Sequence, residues 1–198
     1  MTDQFAQIFE EIKRDPENAK YTSQGIDPLY YAGPKARINI IAQAPGRRAQ
    51  EQRMFWNDRS GKRLREWLGL SWDEFYHSGE IAIMPMDFYF PGNGPHGDLP
   101  PRLDFAEKWH PRLLKLMPHL QLTILIGTYA IHDYLNIPHS KPITNIVRNY
   151  QDYLPQYFPI VHPSPRNQIW ISKNQWFVTE LLPELKQRVR TIMENNDD

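Results

Sequence analysis

Apolar residues recur at three- and four-residue intervals through "DQFAQIFEEIKRD", where Phe5, Ile8, Phe9 and Ile12 stand among charges. That period predicts an amphipathic helix over residues 3–14. The pattern then changes to short, uninterrupted apolar runs. "ARINIIAQAPG" predicts a strand over residues 37–42, ending in a Pro–Gly turn, and "GEIAIMPM", "QLTILIG" and "YFPIVH" predict three more. Strands that are apolar throughout are expected where both faces of a sheet are covered. Between them lie helical patterns. "SGKRLREWLGL" opens on Ser60 as an N-cap and stops at Gly69, and "LDFAEKWHPRLLKLM" is a helix broken or restarted at Pro111. "TYAIHDYL" follows the third strand, and "NQIWISKNQWFVTELLPELKQRVRTIM" is a helical region kinked at Pro183. "FYFPGNGPHGDLPPR" reads as a loop. Alternating strands and helices predict an α/β fold: a three-layer αβα sandwich around a short, mainly parallel four-stranded sheet, with residues 1–198 forming one domain.

Composition narrows the chemistry. The chain carries 23 basic and 23 acidic side chains, so no global field selects a partner, and any nucleic-acid contact must come from a local patch. It has no cysteine, which excludes disulfides, thiolate zinc sites and a cysteine-held iron–sulfur cluster. No apolar run approaches the roughly 20 residues that cross a bilayer, and the charged N-terminal segment does not fit a signal peptide. No membrane association and a cytoplasmic, monomeric protein are the expectations. Eighteen prolines, with apolar residues interleaved throughout, point to ordered loops. His77, His96, His110, His119, His132 and His139 show no metal-ligand spacing, so no metal is assigned; His110, before Pro111, reads as a helix-start feature.

In an open parallel sheet, ligands bind beyond the carboxyl ends of the strands. This directs attention to "AQAPG", "MPMDFYFPGN", "GTYA" and "HPSPRN". His162 is the one histidine directly at a strand end, where an imidazole can stabilise negative charge developing on a bound heterocycle. A capping or core histidine gives the same pattern. Pro163 and Pro165 stiffen the chain around Ser164, and Arg166 and Asn167 can contact phosphate or simply begin a solvated helix. After the first strand, Gln43 can bond a base edge or a water, and Gly46 lets backbone approach a ligand. Ala44 and Pro45 complete an otherwise ordinary turn. In residues 47–63 the arginines, Arg47 and Arg48 first, alternate with Phe55 and Trp56, a combination that suits phosphates and stacked bases but also a solvated face. Asp58 is the acid in this basic stretch, placed either to activate a water or to cap the helix that follows.

Taken in order, "AQAPG", "FWNDRSG", "FPGNG" and "HPSPRN" resemble the motifs of the uracil-DNA glycosylase superfamily across residues 38–167. The nearest pattern is the group whose first motif reads Gly-Glu-Ala-Pro-Gly. The resemblance implies a cofactor-free enzyme that flips a damaged base out of DNA and cleaves its N-glycosidic bond with water. It places the leaving-base histidine on His162 and the stacking aromatic on Trp56, with Phe55 beside it. The base edge and attacking water fall to Gln43 and the backbone around Ala44, and phosphate contacts to residues from Ser164 to Asn167. Three departures stand out. The motif glutamate is Gln43, which orients water but accepts its proton poorly. The base-reading asparagine aligns with Met84, whose thioether cannot make the paired hydrogen bonds, so a base other than uracil is an alternative substrate. The cluster cysteines are missing, which implies a cluster-free branch. A binding module with the same fold, recognising a base, nucleotide or damaged DNA without cleaving it, is the alternative reading.

Overall fold

The computed structural model describes residues 3–95 and 97–195; His96 lies outside them. Four parallel strands form the central sheet: β1 (Ile38–Ile41), β2 (Ile81–Ile83), β3 (Leu122–Ile126) and β4 (Tyr157–Ile160). Their order is β2-β1-β3-β4, with Ile38 opposite both Ile81 and Leu122, and Ile124 opposite Phe158. Proline is tolerated on a sheet edge because one side of the strand needs no donor there, and Pro159 sits in the edge strand β4.

Helices cover both faces. Helix α1 (Gln4–Arg14) is capped by Asp3 and packs with α6 (Phe105–Leu114), burying Ile8, Ile12, Phe105, Trp109 and Leu113 against Ala82 and Met84. Helix α7 (Thr128–Tyr134) lies beside α6 and buries Ile131 against β3, while on the other side α4 (Arg59–Leu68) and α10 (Leu182–Glu194) pack together over the sheet, with Leu64 and Leu185 fully buried. Short helices that the sequence pattern did not reveal, α2 (Ala19–Thr22), α3 (Arg47–Gln52), α5 (Trp72–His77) and α8 (Ile143–Arg148), fill the connections, and α9 (Gln168–Lys173) begins the C-terminal region. The expected kink there is a π-helical turn, Phe177–Leu181, that hands over to α10 with Pro183 in its first turn, where a missing N–H costs nothing.

Two expectations are corrected. Helix α6 runs unbroken through Pro111. His110 is not a helix-start feature: it is buried inside α6, stacked on Phe88 with ring centroids 5.5 Å apart. Its Nε2–H donates to the Pro85 carbonyl at 2.9 Å, which leaves Nδ1 to accept from the Tyr134 hydroxyl. Burial pushes its pKa down to about 4.

The long loop after β2 is latched at its base. Asp87 is fully buried and takes both Nε and Nη2 of Arg102, at 2.7 and 2.8 Å, as well as the Tyr89 N–H at 3.0 Å. Arg102 Nη1 continues to the Asn18 side-chain oxygen at 2.7 Å. Inside this latch a two-residue hairpin pairs Asn93–Gly94 with Gly97–Asp98.

Removing one partner of a buried ion pair strands the other charge, so Asp87→Ala should cost about 3–5 kcal/mol in urea melts at pH 7. The neutral His110 gives a pH signature. Its folded pKa lies below the unfolded value, so the unfolded state binds the proton first as pH falls. The stability His110 contributes is present above about pH 6.5 and is lost toward pH 4, by about 3 kcal/mol in all. Urea melts between pH 7 and 4 should show a shallower decline for His110→Asn than for wild type.

Candidate active site at the strand ends

The carboxyl ends of β1, β2 and β4 open onto a cleft of about 250 Å³. Its walls are built by local devices that can be followed residue by residue. Loop 42–46 leaves β1 and runs into α3, which ends at Arg53 in a left-handed cap with φ 52°. Phe55 then turns inward and meets Tyr31 edge-on, with ring centroids 5.8 Å apart. Trp56 adopts a left-handed backbone, φ 57°, a cost that the surroundings must offset. Tyr76 donates its hydroxyl proton to the Phe55 carbonyl at 2.6 Å, and Arg65 Nη1 donates to the Trp56 carbonyl at 3.0 Å. Gly61 makes the close approach possible: a β-carbon there would lie 1.6 Å from the Trp56 carbonyl oxygen. The small-residue pair Ser60–Gly61 is thus the seat of the tryptophan.

Asp58, not Ser60, is the N-cap of α4. Its Oδ1 accepts the Gly61 N–H at 2.8 Å. The two readings of Asp58 are compatible, because it caps its helix and also lines the cleft.

His162 closes the opposite wall. Its ring lies 5.4 Å from that of Trp56, inclined by 38°. Nδ1 accepts the Ser164 backbone N–H at 3.1 Å, so the proton of the neutral imidazole belongs on Nε2. Burial lowers the His162 pKa, and the Asp58 carboxylate opposes this only in part. The "PSPRN" segment is the bracket that fixes this ring. Ser164 Oγ accepts from Arg166 N–H at 3.2 Å and caps the 3₁₀ turn Pro165–Asn167, while Asn167 Nδ2 donates to the His162 carbonyl at 2.7 Å.

Of the residues singled out in the sequence, Gln43, Ala44, Pro45, Gly46, Arg48, Phe55, Trp56, Asp58 and His162 line this one cleft. Met84 does not. Its neighbours Ile83 and Pro85 reach the cleft, whereas Met84 is fully buried in the cluster under α1 and α6, because successive residues at a strand end face opposite sides. Arg47 sits outside, its guanidinium 5.7 Å from the centroid of the Phe90 ring, and Ser164 and Arg166 flank the cleft without lining it. Gln43 donates one amide N–H to the Leu99 carbonyl at 2.8 Å, leaving Oε1 for a ligand. A second crevice of about 270 Å³ shares Gln43 and His162 and continues past Gly127, Asn167 and Trp170. A larger cavity of about 640 Å³ lies between α6 and α7 and contains none of the predicted site residues. Sequence reasoning missed Asp98, whose carboxylate reaches the cleft from the post-β2 hairpin. Only its place in the "FPGNGPHGD" loop pointed toward it. Among the described residues no group of histidines and acids has the arrangement of a metal site, and no helix is long and apolar enough to cross a membrane.

The protein is an open parallel α/β domain with a small aromatic-walled crevice at the strand ends, the place where such sheets bind ligands. Residues 29–186, which include every sheet strand and every cleft residue, match the Uracil DNA glycosylase superfamily, and the chain belongs to it.

The Trp56 seat is testable. In a helix, Gly→Ala ordinarily stabilises by about 0.5–1 kcal/mol. Gly61→Ala should instead destabilise by about 1–3 kcal/mol in urea melts, because the new methyl group displaces the Trp56 backbone.

Proposed function

We propose that the protein is a monofunctional DNA glycosylase that hydrolyses the N-glycosidic bond of a damaged base flipped out of DNA. The observation that carries this reading is the pairing of Trp56 with a His162 whose free nitrogen is the donor. A flipped base stacks on the indole. As the C1′–N bond breaks, its electron pair moves onto the base and charge builds on the ring carbonyl. The Nε2–H of His162 donates to that oxygen. A neutral donor already fixed in place needs no reorganisation at that moment, which is where electrostatic catalysis is strongest. Arg48, which lines the cleft, would hold phosphate together with Arg47 and Arg166 outside it, so binding should weaken as salt rises.

The substrate is a uracil or another deaminated or modified base. With Met84 turned away, Ile83 and Pro85 offer no side-chain hydrogen bond to a base edge, and recognition falls to Gln43 Oε1 and the backbone of loop 42–46. One observation favours a second reading, a damaged-base binding module. Gln43 stands where a catalytic carboxylate is expected, and its amide is already committed to Leu99.

Oligonucleotides carrying uracil, hypoxanthine, xanthine or a thymine mismatch, single- and double-stranded, separate the two after alkaline cleavage of abasic sites. The expected result is strand breaks with at least one lesion, and a loss of about 10²–10³-fold in His162→Ala. Lesion-dependent binding without breaks at high protein concentration selects the binding module.

A further inference from the structure

Hydrolysis needs a group to take a proton from water, and the loop after β1 offers only an amide. Two carboxylates line the cleft. Asp58 is engaged in capping α4. Asp98 is exposed, and its side chain makes no hydrogen bond or ion pair among the described residues.

Asp98 is nevertheless held firmly through its backbone. Its hairpin partner is Asn93. The next residue, Leu99, donates its N–H to Gly92 at 2.9 Å and accepts from Gln43 Nε2 at 2.8 Å. Gln50 Oε1 takes the Phe90 N–H at 2.9 Å, and Asp87 with Arg102 closes the base of the loop. The carboxylate therefore sits over the first-strand loop, where a β-carbon on Gly46 would lie 3.7 Å from its Oδ2. Five attachments along this loop preorganise the one cleft carboxylate that has no structural task.

We propose that Asp98 is the general base of the reaction and that Gln43 is a positioning residue that pins the Asp98 loop across the cleft. This assignment rests on the glycosylase reading. In the step, a water oxygen bonds to C1′ while the C1′–N bond breaks and its electron pair leaves with the base. The water proton passes to the Asp98 carboxylate and then to the departed base anion, so sugar hydroxyl and free base are the products. The catalytic carboxylate has moved from the strand-1 loop to the hairpin facing it.

The test is single-turnover base release on a lesion that the wild-type protein cleaves. Asp98→Asn should slow release by about 10²-fold while affinity for the lesion DNA, measured by anisotropy, stays within about threefold of wild type. Formate should restore part of the rate to Asp98→Ala and none to His162→Ala, an effect that a merely structural role would not give. Gln43→Ala should slow release too, and the double variant with Asp98→Asn should be no slower than Asp98→Asn alone. Asp98→Asn at wild-type rate, or equal losses of rate and affinity without formate rescue, overturns the assignment and leaves the glycosylase reading standing. Wild-type protein that releases no base overturns both. Thermal melts check that the variants fold, and additivity in the Gln43 cycle overturns the positioning role by itself.

Discussion

The hydrogen bond from the Ser164 backbone to His162 Nδ1 is the constraint on which the site depends. It occupies one ring nitrogen permanently and so decides what the other must be. A neutral imidazole held this way can donate from Nε2 but cannot act as a base there. The bond also explains the oddly stiff sequence around it. Pro163 and Pro165 limit the backbone on either side of Ser164, and Asn167 reaches back to the His162 carbonyl. The residues after the strand thus form a socket that leaves the Nε2–H of His162 free.

Electrostatics supports the same protonation state. Burial disfavours the imidazolium, and the Asp58 carboxylate favours it, but burial is the larger influence and the pKa falls. Asp58 faces solvent and is tied to the Gly61 N–H, so its charge is both screened and partly neutralised by the helix start. A carboxylate buried directly against the ring would have reversed the balance and supplied a cation. The cap position keeps Asp58 near enough to line the cleft and far enough to leave the ring neutral.

Much of this was legible in the sequence, for definable reasons. Uninterrupted apolar strands revealed the layered parallel sheet, because burial on both faces leaves no room for alternation. The strand-end rule then selected His162 and loop 42–46 without reference to helices. Three things were not legible. The N-cap fell on Asp58 rather than Ser60, since either residue type can cap and only the φ/ψ of the turn chooses between them. Met84 was placed by counting along the chain, but a one-residue difference in where β2 ends sends the side chain to the opposite face. His110 beside Pro111 looked like a helix start, yet proline in α6 left the helix continuous, and the histidine braces Pro85 from behind the cleft wall.

The latch at Asp87 connects these points. Among its described residues the loop it closes contains no helix, so the interleaved apolar residues and prolines pointed to order there without showing what supplies it. Order comes instead from charge: a fully buried carboxylate gripped by a guanidinium, with the Tyr89 N–H completing the set. Buried pairs are expensive to form and are weak evidence for stability, but they hold a register well once formed. Here the register is that of the hairpin, and the hairpin's position over the cleft is held from its other side by Gln43. A glutamine in place of a carboxylate at the end of the first strand is therefore coherent with the rest of the molecule. It exchanges an acid on one loop for a hydrogen bond that fastens the facing loop. The missing charge and the unusually well-anchored Asp98 are two ends of a single arrangement.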